Sequence, residues 1–233
     1  MEVYVGTSGW LYDWNLGGSF DWYLKYSGLN AVELNASFYR FPFKAQVLGW
    51  ARRSFGRLRW SVKVHRSITH YRRLSEGSLE VFSRFRELFT PLEGVIDFYM
   101  FQLPPNFSKT RSNIGRLERF SEAVELGARL AVEFRHESWF NNETVDLCRS
   151  LGATIVSIDS PIATWITSSN NIVYLRMHGR SEWYAHDYTR EELDEIAEYL
   201  VKINPAKAYV FFNNNHWMLE NARTMLKILT GKS

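Results

Sequence analysis

A single cysteine, Cys148, among 233 residues excludes an intrachain disulfide and any cluster of thiolate metal ligands, which fits a reducing compartment. No window approaches the roughly 18 apolar residues of a membrane-spanning helix. The opening MEVYVGTSGW lacks the basic-then-apolar pattern of a secretory leader. The expectation is a soluble, cytoplasmic protein with no membrane role. Neither a GxGxxG turn nor a Walker A loop is present, which argues against a nucleotide-binding doubly wound sheet. No Ser/Gly/Pro linker, charge block or low-complexity stretch divides the chain, so one domain is expected over 1–233. The formal net charge of +3 permits an anionic partner without demanding one. Nothing in the sequence decides the oligomeric state.

What is present is a repetition of type. Short β-rich runs alternate with longer amphipathic stretches, the signature of βαβ units. Eight strands are expected: Val3–Thr7, Ala31–Asn35, Leu58–His65, Val95–Gln102, Leu130–Arg135, Thr154–Asp159, Ile172–His178 and Ala208–Asn213. The clearest helices are Leu79–Phe89, Ile114–Leu126, Glu143–Leu151, Arg190–Ile203 and His216–Leu229. Within the fourth of these, Leu193, Ile196, Ala197, Leu200 and Val201 make one apolar stripe, and Thr189 with Glu192 forms a capping box at its start. The fold class that follows is α/β, a single (β/α)8 TIM-like barrel.

In such a barrel alternate residues point inward, and the last inward position of each strand opens onto the face where catalysis is built. Alternation puts Glu33 and Asn35 inward in the second strand, and Ser61, Lys63 and His65 in the third. It places Glu133 and Arg135 inward in the fifth and Arg176 with His178 in the seventh. Gln102, Asp159 and Asn213 end the fourth, sixth and eighth strands, and His70 and His136 follow in adjoining loops. Unpaired charges cost several kcal/mol, of order 3 to 5, to bury, so they must be paired, hydrated or bound. Glu33, Lys63, Glu133, Asp159 and His178 are the catalytic candidates; Asn35, His70, Gln102, Arg135, His136, Arg176 and Asn213 are candidates for substrate binding. A closed set of ion pairs without a ligand is the alternative.

The segments GTSGW at 6–10, VELNASFYR at 32–40, SVKVHRSITH at 61–70, FQLPP at 101–105, AVEFRHESW at 131–139, YLRMHG at 174–179 and YVFFNN at 209–214 stand in order along the chain. With the strand end at Asp159, this set resembles the DUF72 family, the YecE-like proteins. The resemblance implies a TIM-barrel-like fold and an activity that is not established. It adds Tyr39, Thr69 and Trp139 to the recurrent positions, Tyr39 and Trp139 as further substrate-binding candidates. The chain departs from the family in a short first βα loop, LYDWNLGGSF, and in NNNHWMLENA at the start of its last helix.

The chemistry expected is an enzyme that holds a small phosphate- or carboxylate-bearing ligand with Lys63, Arg135 and Arg176 and moves a proton with a carboxylate or His178. A metal-assisted isomerase or endonuclease-IV-like phosphodiesterase is a second expectation, with Glu133, Asp159 and His178 holding a divalent ion, by analogy of fold. A third is a nucleic-acid-binding module, from Arg52, Arg53, Arg57, Arg59, Arg66, Arg72 and Arg73 interleaved with Trp50, Trp60 and Tyr71. A non-catalytic ligand sensor is a fourth. Lys63 is either a charge partner or a Schiff-base lysine, and nothing else in the sequence points to aldolase chemistry.

Overall fold

The computed structural model describes residues 1–231, and the domain expected over 1–233 runs two residues beyond them. Strands β1 (Glu2–Ser8), β2 (Ala31–Leu34), β3 (Arg59–Lys63), β4 (Ile96–Gln102), β5 (Leu130–Glu133) and β6 (Thr154–Ser160) are joined by β8 (Ile172–Met177) and β9 (Lys207–Phe212) in a parallel ring. The ring closes because β9 pairs with β1 and β5 with β6. Around it lie α1 (Phe20–Tyr26), α2 (Lys44–Ser54), α3 (Gly77–Leu88), α4 (Arg111–Val124), α5 (Asn142–Ser150), α6 (Arg190–Ile203) and α7 (Met218–Thr230). No described helix is long and apolar enough to cross a membrane.

The fold is a parallel β-barrel wrapped by helices, and a strict (β/α)8 reading needs correction. A ninth strand, β7 (Ala163–Trp165), runs antiparallel to β6 outside the ring. It stands in the crossover from β6 to β8, where the repeat would have a helix. Side-chain hydroxyls anchor this segment: Ser157 Oγ accepts from Thr167 N and donates to Thr167 O, both at 2.9 Å, and Ser169 Oγ accepts from Ile155 N at 3.0 Å. Helix α6 has the expected capping box, with Thr189 Oγ1 accepting from Glu192 N and Thr189 N donating to Glu192 Oε2.

Alternation separates two cores. Val32, Leu34, Trp60, Val62, Tyr99, Phe101, Val132, Leu175, Val210 and Phe212 point outward under the helices in the larger cluster. Inside the ring, Ala31, Phe98, Met100, Ala131, Val156, Tyr174, Tyr209 and Phe211 fill the lower part of the tube. The next inward positions toward the carboxyl ends are Ser8, Glu33, Lys63, Glu133, Arg135, Arg176, His178 and Asn213, all buried. Gly6 lies among the inward positions of β1, where a Cβ would come within 2.4 Å of the Ala31 carbonyl on β2. Only glycine lets the two strands close there.

Candidate functional site at the strand ends

Arg176 organises the layer. Its Nε and Nη2 make a two-pronged contact with Glu33, at 2.9 Å to Oε2 and 2.7 Å to Oε1, while Nη1 reaches Glu133 Oε2 at 2.5 Å. Glu33 also accepts from Ser8 Oγ and from Tyr174 Oη, each at 2.6 Å, so its lone pairs are occupied. The second oxygen of Glu133 meets Arg135 Nε and lies 3.3 Å from His178 Nε2. His178 Nε2 is 3.1 Å from Arg135 Nη2, and its Nδ1 is 3.2 Å from the Asn213 amide. The Arg135 guanidinium stacks on the Trp183 ring at 4.4 Å.

Burial sharpens the charge states. Desolvation pulls the Arg176 guanidinium down, but Glu133 and Glu33 outweigh it and hold its pKa above the usual value. For Glu133 burial alone would raise the pKa, yet Arg135 and Arg176 bring it well below the ordinary carboxylate range. Burial, reinforced by Arg135 and Arg176, depresses His178 well below an ordinary imidazole, so it is neutral at pH 7. Glu33, Glu133, Arg176 and His178 are wholly buried, whereas Lys63 is 5 % and Arg135 9 % exposed. Those last two are therefore the charged members of the layer that a ligand can touch.

Lys63 differs from all the others. Its ammonium sits 4.2 Å over the Phe38 ring and makes no hydrogen bond or ion pair with any described residue. Desolvation, then Arg176 and Arg135 against partial relief from Glu133 and Glu33, brings its pKa down to about 7. His70, in an edge-to-face contact with Phe38 at 4.9 Å between ring centres, is lowered to about 4 by burial and by Lys63, Arg135, Arg66 and Arg73. Among the described residues of the layer, Lys63 is thus the cation without a carboxylate partner.

Several expected site residues stand elsewhere. Asp159 lies on the outward face of β6, because Val156 points into the tube and Ile155 toward the helices. There it accepts from Thr164 Oγ1 at 2.5 Å and from Arg180 Nε at 3.1 and 3.2 Å. Glu133, Asp159 and His178 therefore do not converge, and among the described residues no three His, Cys, Asp or Glu side chains form a group that could hold a metal ion. Arg176, expected on substrate, is consumed by Glu33 and Glu133. Trp139 is core: its Nε1 donates to Phe107 O at 2.7 Å and its ring stacks on Phe134 at 4.4 Å. His136 caps a short turn, its Nδ1 accepting from Ser138 N at 3.2 Å, and His65 does the same for Ser67.

Gln102 is partly exposed at the end of β4, and Asn213 braces His178. Asn35 and Tyr39 line a separate cleft of about 370 Å³ beside the ends of β1 and β2, with Ser8, Tyr12, Trp10 and Trp50. Lys63, Arg135 and His178 do not line it. The buried Oδ1 of Asn35 has no hydrogen-bond partner there. The arginines proposed as a nucleic-acid surface are dispersed: Arg59 begins β3 and pairs with Asp97, Arg53 pairs with Asp21 at 3.0 Å, and Arg66 follows the far end of β3. Trp60 is buried.

Tyr174 and Ser8 were not singled out in the sequence, although strand alternation implies both, Tyr174 being two residues before Arg176. Trp183 lies in a loop and Phe38 in a three-residue 3-10 turn, Ala36–Phe38, where no strand period operates. Gly179 makes the Trp183 loop possible: its φ is +101°, and a Cβ would meet the Glu182 carbonyl at 2.5 Å.

A parallel barrel with a charged layer at the carboxyl ends of its strands belongs to the broad class of TIM-barrel-like α/β proteins. Residues 4–233 match the family model described as protein of unknown function DUF72, and the chain belongs to that family. It is similar to YunF, a UPF0759 protein of Bacillus subtilis strain 168, at 24% identity over 97% of this chain and 94% of the relative. Among solved structures it is similar to a DUF72 family protein of Thermotoga maritima MSB8, at 29% identity with TM-score 0.82 over 99% of each chain. A DUF72 family protein of Enterococcus faecalis V583 superposes with TM-score 0.85 at 21% identity, over 98% of this chain and 95% of that one.

Proposed function

We propose that the chain is an enzyme acting on a small ligand that carries a carboxylate or phosphate, bound over the strand ends with Lys63 and Arg135 against the anion. One observation carries this reading: Lys63 is nearly buried without a carboxylate, while both carboxylates of its layer are engaged by Arg176. Counting Lys63, Arg135 and Arg176 against Glu33 and Glu133 gives 3 − 2, one positive charge in excess when the lysine is protonated. An anionic ligand supplies the missing counter-charge. The acid–base work falls to a group that changes charge near neutrality. Lys63, at about 7, fits that requirement, whereas Glu133 is held too acidic and His178 too weakly basic.

The cleft of about 370 Å³ beside the ends of β1 and β2 shares Ser8 with the charged layer, though Lys63 and Arg135 do not line it, and is of a size that takes the uncharged remainder of a metabolite. Titration calorimetry and thermal shift with inorganic phosphate, glyoxylate and a sugar phosphate test the reading. Binding of at least one, weakened about tenfold or more in Lys63→Met, is the expected result. Absence of binding by all three, or equal affinity in the variant, overturns it. Tight capture without any product over prolonged incubation would make the protein a sensor.

A further inference from the structure

We infer that Lys63 is a nucleophile, forming an imine with an aldehyde or ketone that also carries the anionic group. This rests on the reading above and deepens it by naming the substrate class. The argument starts from what a lysine needs in order to attack: a lone pair, no ion-pair partner to clamp its nitrogen, and an approach from solvent. Lys63 stands at the last position of β3, with its nitrogen over the Phe38 ring and no carboxylate in contact. The neighbouring cations Arg176 and Arg135 disfavour a third positive charge, and His70, in contact with Phe38, does not supply a negative one. Its pKa, down to about 7, leaves an appreciable neutral fraction at pH 7.

The groups facing Lys63 then divide the work. Arg135, stacked on Trp183 and reachable from solvent, is the contact for the carboxylate or phosphate. The lone pair of Nζ forms a bond to the carbonyl carbon while the carbonyl π pair moves to oxygen, which takes up the proton that the nitrogen then releases. The resulting carbinolamine loses one water to give the imine, with no net oxidation or reduction. Protonation of the imine restores the charge of the original ammonium, so the bound anion regains its counter-charge at the end of the step. Glu33 and Glu133 stay on Arg176 throughout and need not change protonation.

The test uses the intact protein with sodium cyanoborohydride and, in separate arms, glyoxylate or glycolaldehyde phosphate, followed by peptide mapping. Reduction of an imine leaves a stable secondary amine on the lysine concerned. At pH 7 Lys63 is expected to be modified about tenfold faster or more than any other lysine, with a rate that rises through about pH 7. The faster arm identifies carboxylate or phosphate as the anion. Lys63→Arg is expected to bind the same probes, since it keeps the charge, and to show no preferred adduct. Comparable labelling of all lysines, or a Lys63 rate that rises only toward pH 10, overturns the inference. Binding of the probes without an adduct at Lys63 overturns the imine alone and leaves the anion site standing; neither binding nor adduct overturns both. Should Lys63→Arg fail to fold, the wild-type map and its pH profile decide.

Discussion

The two ends of the same tube are filled by opposite means. At the amino-terminal end Phe98 sits 4.8 Å from Tyr209 and 5.0 Å from Tyr174, with Tyr4 stacked on Tyr209 at 4.7 Å. At the other end Arg176 spans two carboxylates, and a lysine is left over. The aromatic plug is stable on its own account, because it removes apolar area from water. A charged layer in the same enclosure gains little over an apolar one, since desolvation offsets much of the attraction. The proposed anion site accounts for a charged layer standing where branched apolar residues would otherwise fill the tube.

The comparison can be broken by removing one member from each end. Arg176→Met leaves Glu33 buried without a cation and Glu133 with Arg135 alone, and should cost about 3 to 5 kcal/mol in urea unfolding. Phe98→Ala should cost a similar amount, roughly 3 to 5 kcal/mol, by leaving a cavity. The two differ in pH dependence. The carboxyl of Glu133 is held below its ordinary 4.5, so it contributes stability that is present above about 4.5 and is lost as pH falls through the lowered value. The gap between wild type and Arg176→Met should therefore narrow below pH 4.5, while the gap to Phe98→Ala stays constant. A pH-independent Arg176→Met deficit, or one under about 1 kcal/mol, would show that the ion pairs do not hold the upper layer.

A change of opposite sign is expected at Lys63. Its pKa is lowered from 10.5 to about 7, so below about 7 both folded and unfolded chains carry the proton and the folded state bears the whole penalty. Between about 7 and 10.5 the unfolded chain holds a proton that the folded one does not, and stability rises with pH across that window. Lys63→Met removes the penalty. It should stabilise the ligand-free protein by about 1 to 3 kcal/mol at pH 6, with the gain fading toward pH 10. Loss of stability in the variant at pH 6 would instead assign Lys63 a favourable partner that its surroundings do not contain.

Legibility in the sequence followed the same division. Where one face of a strand meets the helices and the other the tube, as in LAVEFR, period-two alternation identified Glu133 and Arg135 as inward, and they are. Strand β6 defeated the rule. Thr154 to Ser160 is buried on both faces, so the polar alternation of Ser157, Ile158 and Asp159, which put the terminal Asp159 inward, did not orient it. Only the register of Val156 decides the matter. The missing helix between β6 and β8 was equally hidden, because serine hydroxyls tie that segment to β6 through contacts that leave no periodic trace. Trp183 reaches Arg135 through a loop, where neither helix nor strand period applies.

The smallest effect separates a cap from a ligand contact. The tripeptides His65-Arg66-Ser67 and His136-Glu137-Ser138 use one device, an imidazole Nδ1 accepting from the backbone N–H two residues on, at 3.2 Å in each. An asparagine oxygen can satisfy the same donor, whereas alanine cannot. His136→Ala should therefore cost about 1 kcal/mol, and His136→Asn about half of that or less, with anion affinity unchanged in both. Equal stability of the two variants with a loss of affinity in each would return His136 to the binding surface. The upper layer would then extend past the strand ends into the loop after β5, and the boundary drawn between the braced ion pairs and the reachable cations would have to move outward with it.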